Sequence, residues 1–122
     1  MKTAIPRETR NGETRVAASP ETVKKFTGMG LSVTVETGAG ALSSFSDADY
    51  TAAGAAIAKT AQELYADADL VLKVRKPAEQ EIKMMKKGAV LVSTMDARTD
   101  KETLKACAEQ GINVFAMELD RK

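Results

Sequence analysis

The fold is decided by residues 69–74, Asp-Leu-Val-Leu-Lys-Val, a short run in which aliphatic residues dominate. Four more runs rich in apolar or β-branched residues lie at positions 3–6, 32–36, 89–94 and 113–117. Runs that are apolar on both faces are typical of strands in a parallel sheet that is covered on both sides. The sequence therefore predicts five strands, and residues 69–74 form the third of them.

Signals for helix starts separate these predicted strands. Ser19 precedes Pro20, which places an N-cap hydroxyl before a proline at the first helical position. Thr60 and Glu63 have the spacing of a capping box. Further helix starts are expected at Ser46, Pro77 and Thr99 or Asp100. Because helices alternate with strands, we predict one α/β domain over residues 1–122, a three-layer sandwich with a mostly parallel, roughly five-stranded Rossmann-like sheet.

Composition excludes several classes of protein. The chain has 122 residues, the usual size of one domain, and its 43% hydrophobic and 29% charged content is that of a soluble globular protein. With 18 basic and 17 acidic residues and only 4% aromatic residues, it lacks the features of a nucleic-acid binder. It contains no stretch near the ~20 apolar residues that span a bilayer, so we expect no membrane insertion by this chain.

Histidine is absent from the sequence, and cysteine occurs once, as Cys107. The absence of histidine removes the commonest general base and excludes Ser-His-Asp and Cys-His mechanisms within this chain. A single cysteine forms no internal disulfide, which fits a reducing compartment such as the cytoplasm. We interpret Cys107 as a buried, inert thiol and Met84, Met85 and Met117 as core residues. No residue is singled out as catalytic.

A glycine-containing stretch, residues 38–43 (Gly-Ala-Gly-Ala-Leu-Ser), follows the second predicted strand. It resembles a dinucleotide fingerprint in which serine replaces the third glycine. A true fingerprint leads directly into a helix that holds pyrophosphate at its N-terminus, whereas the helix start here is at Ser46. We therefore interpret the stretch as a turn.

Two Asp-Ala-Asp pairs, Asp47 with Asp49 and Asp67 with Asp69, are candidate ligands for a divalent cation. Both pairs lie at the boundaries of predicted elements, where aspartate is favoured for capping and turns. We interpret them as caps, so no metal site is predicted.

Basic residues follow the first predicted strand at Arg7, Arg10 and Arg15. Ligands of open α/β sheets bind beyond the carboxyl ends of the strands, and a guanidinium group there can hold a carboxylate or a phosphate. The alternative is a solvated basic loop that pairs with Glu8 and Glu13.

Lys73 and Arg75 lie at the end of the third predicted strand, and alternation directs both to the same side. A lysine within an apolar strand has a high desolvation cost unless it is paired or contacts a ligand. The alternative is that Lys73 extends from the strand end into solvent.

Several ordered blocks of sequence together resemble one known family, the alanine dehydrogenase/proton-translocating transhydrogenase family, in its N-terminal domain. The likeness runs from Met1 to about Leu119 and is closer to the transhydrogenase alpha subunit. The blocks that carry it are residues 4–8 (Ala-Ile-Pro-Arg-Glu), 12–17 (Gly-Glu-Thr-Arg-Val-Ala), 19–23, 35–40, 44–47, 66–74 and 115–118.

The resemblance implies that a nicotinamide cofactor binds mostly through residues beyond Lys122. In that family a Rossmann domain that binds NAD(H) follows the N-terminal domain, so we expect residues 1–122 to be truncated before it. In the alanine dehydrogenases, the residues that match Arg15 and Lys73 hold the carboxylate and carbonyl groups of pyruvate. A histidine in the segment that matches residues 94–96 serves there as acid and base, and this sequence has Thr-Met-Asp instead.

The missing histidine favours the transhydrogenase branch, in which hydride passes between NAD(H) and NADP(H), coupled to proton translocation. The resemblance then implies a homodimer with a membrane domain and an NADP(H)-binding domain or subunit, on the cytoplasmic or matrix face of a membrane. We expect this chain to be inactive alone and to bind no cofactor tightly. The alternatives are the substrate-binding domain of an alanine-dehydrogenase-like oxidoreductase and a stand-alone module without catalysis.

Overall fold

The chain folds as strands that alternate with helices in a computed structural model that describes residues 1–9, 13–94 and 100–117. The strands are Lys2–Ile5 (β1), Ser32–Glu36 (β2), Ala56–Ala58 (β3), Leu70–Leu72 (β4), Val90–Thr94 (β5) and Asn113–Met117 (β6). The helices are Pro20–Gly28 (α1), Asp47–Ala52 (α2), Ala61–Ala66 (α3), Glu79–Met84 (α4) and Lys101–Gln110 (α5), with a 3₁₀ turn at Ala41–Ser43. None of these helices is long and apolar enough to span a bilayer.

All strand pairs of the sheet are parallel, and the order is β3-β2-β1-β4-β5-β6. The first strand therefore lies in the middle, where Ile5 is opposite Val35 of β2 and Ala4 is opposite Val71 of β4. The chain builds the sheet outward from β1 in one direction and then outward from β4 in the other. The boundary between β1 and β4 is the topological switch point, where open α/β sheets bind their ligands. The predicted α/β class and parallel sheet are confirmed.

The prediction of five strands is wrong by one, because β3 is a sixth. Its sequence is Ala-Ile-Ala, and alanine has a low preference for strands. Pairing with β2 forms this strand, with Thr34 opposite Ala56 and Glu36 opposite Ala58. A long-range backbone pairing thus overrides a weak local preference.

Helix caps account for the observed helix starts. The Ser19 side chain accepts a hydrogen bond from the Thr22 amide at 3.2 Å, with Pro20 in the first position. Thr60 likewise accepts from the Glu63 amide at 3.1 Å. The return bond of the predicted capping box reaches the amide of Lys59 instead of Thr60, at 3.3 Å.

The start of α4 differs from the prediction at Pro77, because the helix begins at Glu79 with Ala78 as its N-cap. The Glu81 side chain accepts a hydrogen bond from the Ala78 amide at 2.8 Å, which fixes the cap one residue beyond Pro77. The helix ends at Met84, because Met85 has an extended backbone with ψ 142°.

Two apolar clusters lie on opposite faces of the sheet, since neighbouring residues of β1 belong to different clusters. One packs the sheet against α1 and α2; its members include Ile5, Val23, Val33, Val35 and Tyr50. The other joins β1, β4 and β5 to α3, α4 and α5; its members include Ala4, Tyr65, Val71, Met85, Leu91 and Cys107.

The predicted burial of Cys107 and Met85 is confirmed. Met84 is partly buried and packs at the margin of the second cluster. The side chain of Met117 lies outside the described part of the chain, so its predicted place in the core stays a prediction.

One part of the sheet surface remains uncovered within the described residues. Leu72, Val92 and Phe115 form a row across β4, β5 and β6 on the face that carries α1 and α2. Phe115 is 64% exposed, and the other two are half-buried. The third layer of the predicted sandwich is thus incomplete over this half of the sheet.

A substitution of Gly40 tests the packing of the turn after β2. A Cβ atom at this position would lie 2.7 Å from Phe45 Cβ and 2.7 Å from Tyr50 Cε2. We expect Gly40→Ala to lower the free energy of unfolding by about 1–3 kcal/mol, because an added methyl group forces a packed core to shift. Urea denaturation measures this value.

Gly28→Ala is the matched control, since a Cβ at Gly28 has no neighbour within 4 Å. It lies at the end of α1, so its free energy of unfolding should stay unchanged or rise by up to about 1 kcal/mol. Equal stability of the two variants would contradict the described turn.

Candidate functional site

The candidate site lies where β1 and β4 end, at the carboxyl edge of the sheet and at its topological switch point. Glu8 follows β1 after the buried Pro6, and Lys73 directly follows β4. The Lys73 amide donates to the Val92 carbonyl at 2.9 Å, which continues the pairing of β4 with β5 by one residue. Two chain segments that are 65 residues apart are therefore held side by side.

A buried ion cluster occupies this position. Lys73 Nζ lies 3.2 Å from Glu8 Oε1 and 3.4 Å from Glu81 Oε2. The side chains of Lys73, Glu8 and Glu81 are only 1%, 2% and 7% exposed. Charges this deeply buried are tolerated only when they are paired and their remaining hydrogen-bonding groups are satisfied.

Backbone amides supply most of the remaining hydrogen bonds of Glu8. Val74 N donates to Glu8 Oε2 at 2.9 Å, and Arg75 N donates to Glu8 Oε1 at 3.2 Å. The Glu8 carboxylate therefore anchors the loop after β1 to the segment that leaves β4.

Glu81 joins the cluster to α4 and to α3. Its Oε1 accepts from the Ala78 amide, and its Oε2 accepts from the Tyr65 hydroxyl at 2.9 Å. Burial, and then the nearby Glu81 carboxylate, raise the pKa of Tyr65, so its hydroxyl keeps its proton and donates it. Neither Glu81 nor Tyr65 is among the residues predicted from the sequence. The only local signal is the position of Glu81 three residues after Ala78, which is a poor N-cap residue.

Lys73 is thus a paired, buried cation, and the alternative that it extends into solvent is wrong. An ammonium group has three N–H donors, and the two carboxylates use two of them. One donor remains for another acceptor. Arg75 lies past the end of β4, with its side chain 49% exposed, so it does not share the buried environment of Lys73.

Arg15 is held by Glu13 in a side-on ion pair. Arg15 Nε donates to Glu13 Oε2 and Arg15 Nη2 donates to Glu13 Oε1, both at 2.9 Å. Glu13 is 6% exposed, whereas Arg15 is 62% exposed. The hydrogen bonds from Arg15 lower the pKa of Glu13 to about 2, and the Glu13 carboxylate raises the pKa of Arg15.

The predicted alternative of a self-paired basic loop is therefore correct for Arg15 with Glu13 and wrong for Glu8, which pairs with Lys73 instead. Arg75 Nη1 adds a weaker contact of 3.9 Å to Glu13 Oε1. Arg10 lies outside the described residues.

A cleft of about 490 Å³ opens at this edge of the sheet. Glu8 and Arg15 both line it, and Lys73 contacts Glu8 without lining the cleft itself. Its lining residues are Arg7, Glu8, Thr9, Glu13, Thr14, Arg15, Gly38, Ala39, Ala41 and Leu42. The structure thus brings both predicted ligand-binding residues, Arg15 and Lys73, to one region, with Glu8 between the cleft and the ammonium group.

The glycine stretch forms one wall of the cleft as a turn, as predicted. Gly38 has φ +78°, a conformation that favours glycine, and the 3₁₀ turn Ala41–Ser43 follows. Helix α2 begins only at Asp47, whose carboxylate accepts hydrogen bonds from Thr37 Oγ1 at 2.6 Å and from Gly38 N at 3.0 Å. These bonds lower the pKa of Asp47.

The remaining aspartates have structural partners. Asp49 completes a capping box with Ser46, which confirms its predicted role. Asp69 accepts from the Lys2 amide at 2.8 Å and from Lys86 Nζ at 2.5 Å, and Asp67 pairs with Lys2 at 3.5 Å. In the part of the chain that the structure describes, no group of three or more acidic or cysteine side chains is placed to hold a metal ion.

The segment that carries a histidine in alanine dehydrogenases begins here at the end of β5. Thr94 donates from its hydroxyl and, at 3.3 Å, from its amide to the Val74 carbonyl, so the segment is tied to the chain that leaves β4. Met95 and Asp96 lie outside the described residues.

The cofactor contacts that the resemblance implies are expected beyond Lys122. Lys122 itself lies outside the described residues, which end at Met117. This expectation therefore stays a prediction, and no cofactor-binding residue is assigned within the chain.

The fold and the site define an α/β domain with a ligand cleft at its switch point, and comparison with known proteins identifies its family. Residues 4–122 match the family model of the alanine dehydrogenase/PNT N-terminal domain. The chain belongs to this family, which confirms the resemblance seen in the sequence.

Relatives from both branches of the family cover almost the whole chain. It is 48% identical over 124 residues to an NAD(P) transhydrogenase subunit alpha of Rhodospirillum rubrum, covering 98% of this chain and 32% of that protein. It is 37% identical over 118 residues to the alanine dehydrogenase of Mycobacterium tuberculosis, covering 97% and 32%. The chain therefore spans about a third of the length of these relatives.

Solved structures give the same result. A transhydrogenase from Sinorhizobium meliloti superimposes with a TM-score of 0.91 at 40% identity, covering 95% of this chain and 34% of that one. An L-alanine dehydrogenase gives a TM-score of 0.90 at 30% identity, covering 95% and 32%. The fold is therefore common to both kinds of oxidoreductase.

Removal of the buried cation tests the ion cluster. We expect Lys73→Met to lower the free energy of unfolding by about 3–5 kcal/mol, because it leaves two buried carboxylates without a cation. The matched control is Lys83→Met, which removes an exposed partner of Glu79 at 3.7 Å and should cost less than about 0.5 kcal/mol. Urea denaturation compares the two, and similar losses would contradict the burial of the cluster.

The low pKa of Glu13 predicts a dependence of stability on pH. The carboxyl group titrates near 4.5 in the unfolded chain and near 2 in the folded chain. Its contribution is therefore complete above the unfolded pKa and is lost as the pH falls from about 4.5 towards 2. In thermal melts across this range, Glu13→Gln should lose less stability than the wild type. Parallel curves would show that Glu13 is not paired in solution.

Proposed function

We propose that this chain is the N-terminal domain of an NAD(P) transhydrogenase alpha subunit, which transfers hydride between NAD(H) and NADP(H), coupled to proton translocation. The observation that carries the proposal is the 48% identity to the Rhodospirillum rubrum subunit over nearly the whole chain. The transhydrogenase of Sinorhizobium meliloti, with its TM-score of 0.91, supports the same assignment.

The chemistry of the site agrees with this proposal. Direct hydride transfer between two nicotinamides moves no substrate proton and so requires no acid or base from this domain. The sequence has no histidine, and its two buried carboxylates near the cleft are occupied by Lys73. We infer that the domain closes over the nicotinamide and excludes water.

The described residues do not fit a dinucleotide. The turn at residues 38–43 leads into a 3₁₀ turn and not into a helix that would hold pyrophosphate. The Asp47 carboxylate already accepts the Gly38 N–H, which places a negative charge where a phosphate would need a donor. NAD(H) would therefore bind mainly on a separate Rossmann domain beyond Lys122, and this chain alone would bind it weakly.

The proposed assembly follows from the same assignment. The domain would work next to the NAD(H)-binding domain, with a membrane domain and an NADP(H)-binding domain or subunit, in a homodimer. It would lie on the cytoplasmic or matrix face of the membrane. Since the chain spans about a third of its relatives, we propose that it is inactive by itself.

A second candidate is the substrate-binding domain of an alanine-dehydrogenase-like oxidoreductase. One observation favours it: Arg15 and Lys73 each retain unused N–H donors at the same edge of the sheet. Arg15 would hold the carboxylate of a 2-oxo acid, and Lys73 its carbonyl oxygen. The absence of histidine leaves this candidate without the acid and base that the resemblance implies.

A pair of chimeras separates the two candidates. In one, this chain replaces the matching segment of the Rhodospirillum rubrum alpha subunit, together with its other subunits; in the other, it replaces that of the Mycobacterium tuberculosis alanine dehydrogenase. We expect the first to keep at least about a tenth of the parental rate of NADH-to-NADP hydride transfer, a loss of no more than about 1.4 kcal/mol. The second should not reduce pyruvate with ammonia, because histidine is missing.

The parental proteins, assayed in parallel, are the controls. Pyruvate reduction by the second chimera without hydride transfer by the first would overturn the transhydrogenase assignment in favour of the dehydrogenase.

A further inference from the structure

Arg7 stands apart from the other charged residues of the cleft. Four charged side chains line it, namely Arg7, Glu8, Glu13 and Arg15. Glu8 pairs with Lys73, and Glu13 pairs with Arg15. Within residues 1–9, 13–94 and 100–117, the Arg7 guanidinium group has no hydrogen-bond or ion-pair partner.

The backbone of Arg7 is nevertheless held in place. Its amide donates to Glu36 Oε1 at 2.9 Å, which ties it to the end of β2, and the buried Pro6 restricts the residue before it. A Cβ atom at Gly38 would lie 3.9 Å from Arg7 Cδ, so the stem of the arginine runs along the glycine turn. An unpaired guanidinium on a fixed backbone is suited to binding a ligand, since little backbone freedom is lost on contact.

Arg15 offers a second cationic group on the same cleft. Glu13 engages the edge formed by Nε and Nη2, so both N–H groups of Nη1 and one of Nη2 remain unused. That outer edge is the part of guanidinium that forms bidentate hydrogen bonds with a carboxylate or phosphate. With 62% of the side chain exposed, ligands can reach it.

We propose that Arg7 is a further ligand-binding residue of this cleft, and that it holds, together with Arg15, a small organic anion through a carboxylate or phosphate group. The cleft of about 490 Å³ has the size of a small-molecule site. Its two carboxylates are already paired, so they do not repel an incoming anion as free charges would. The inference concerns this chain's own cleft and does not depend on hydride transfer.

The test is a titration followed by NMR at the arginine Nε–Hε resonances, with pyruvate and inorganic phosphate as probes. In the wild type, the Arg7 and Arg15 signals should shift along saturable curves below about 50 mM probe. Arg7→Gln should weaken binding by about tenfold, the value of one charge-assisted hydrogen bond. Its melting temperature should match the wild type, because the Arg7 side chain has no described partner.

Lys105→Gln is the matched control, since it removes one exposed positive charge from α5 and should leave both titrations unchanged. Saturation by either probe supports the proposal, and the probe that binds identifies the carboxylate or the phosphate as the anionic group. Failure of both probes to saturate the Arg7 signal, or equal affinity of Arg7→Gln and Lys105→Gln, would overturn it. Hydride transfer by the chimera without anion binding would remove only this inference.

Discussion

The ion cluster of Lys73 with Glu8 and Glu81 is the constraint on which the rest of the site depends. Removing three charges from water is costly, so every remaining donor and acceptor around them must be matched. The amides of Val74, Arg75 and Ala78 and the hydroxyl of Tyr65 do this. As a result, the loop after β1, the end of β4, α3 and α4 are held in one arrangement, and the cleft opens next to it.

The two cations of the site are held differently, and this difference bears on what they can do. Lys73 is buried and shared by two carboxylates, so its main contribution is to organise the surrounding chain. Arg15 is mostly exposed and is held along one edge only. A domain of this kind suits both a dehydrogenase and a transhydrogenase, because its scaffold is stable before any ligand arrives. The relatives in both branches show that the fold alone does not decide between them.

Local signals predict most of the fold, and long-range contacts account for what they miss. The caps at Ser19, Ser46 and Thr60 and the apolar runs of β2, β5 and β6 are visible in the sequence, because each depends on neighbouring residues. Strand β3 escapes prediction since only its pairing with β2 makes Ala-Ile-Ala a strand. The need of Lys73 for a partner is predictable, but Glu81 and Tyr65 are not identifiable because α3 and α4 bring them together only in the folded chain.

The central position of β1 affects how the molecule folds as it is made. Strand β1 is synthesised before the other strands, yet Ala4 gains its neighbour Val71 only after β2 and β3 have been made. The first half can already pack its own cluster around Ile5 and Val35, whereas Glu8 has no ammonium partner until Lys73 emerges. Contacts so distant in sequence are slow to form. The nascent chain therefore carries an unfinished sheet edge, and the same edge becomes the floor of the ligand cleft.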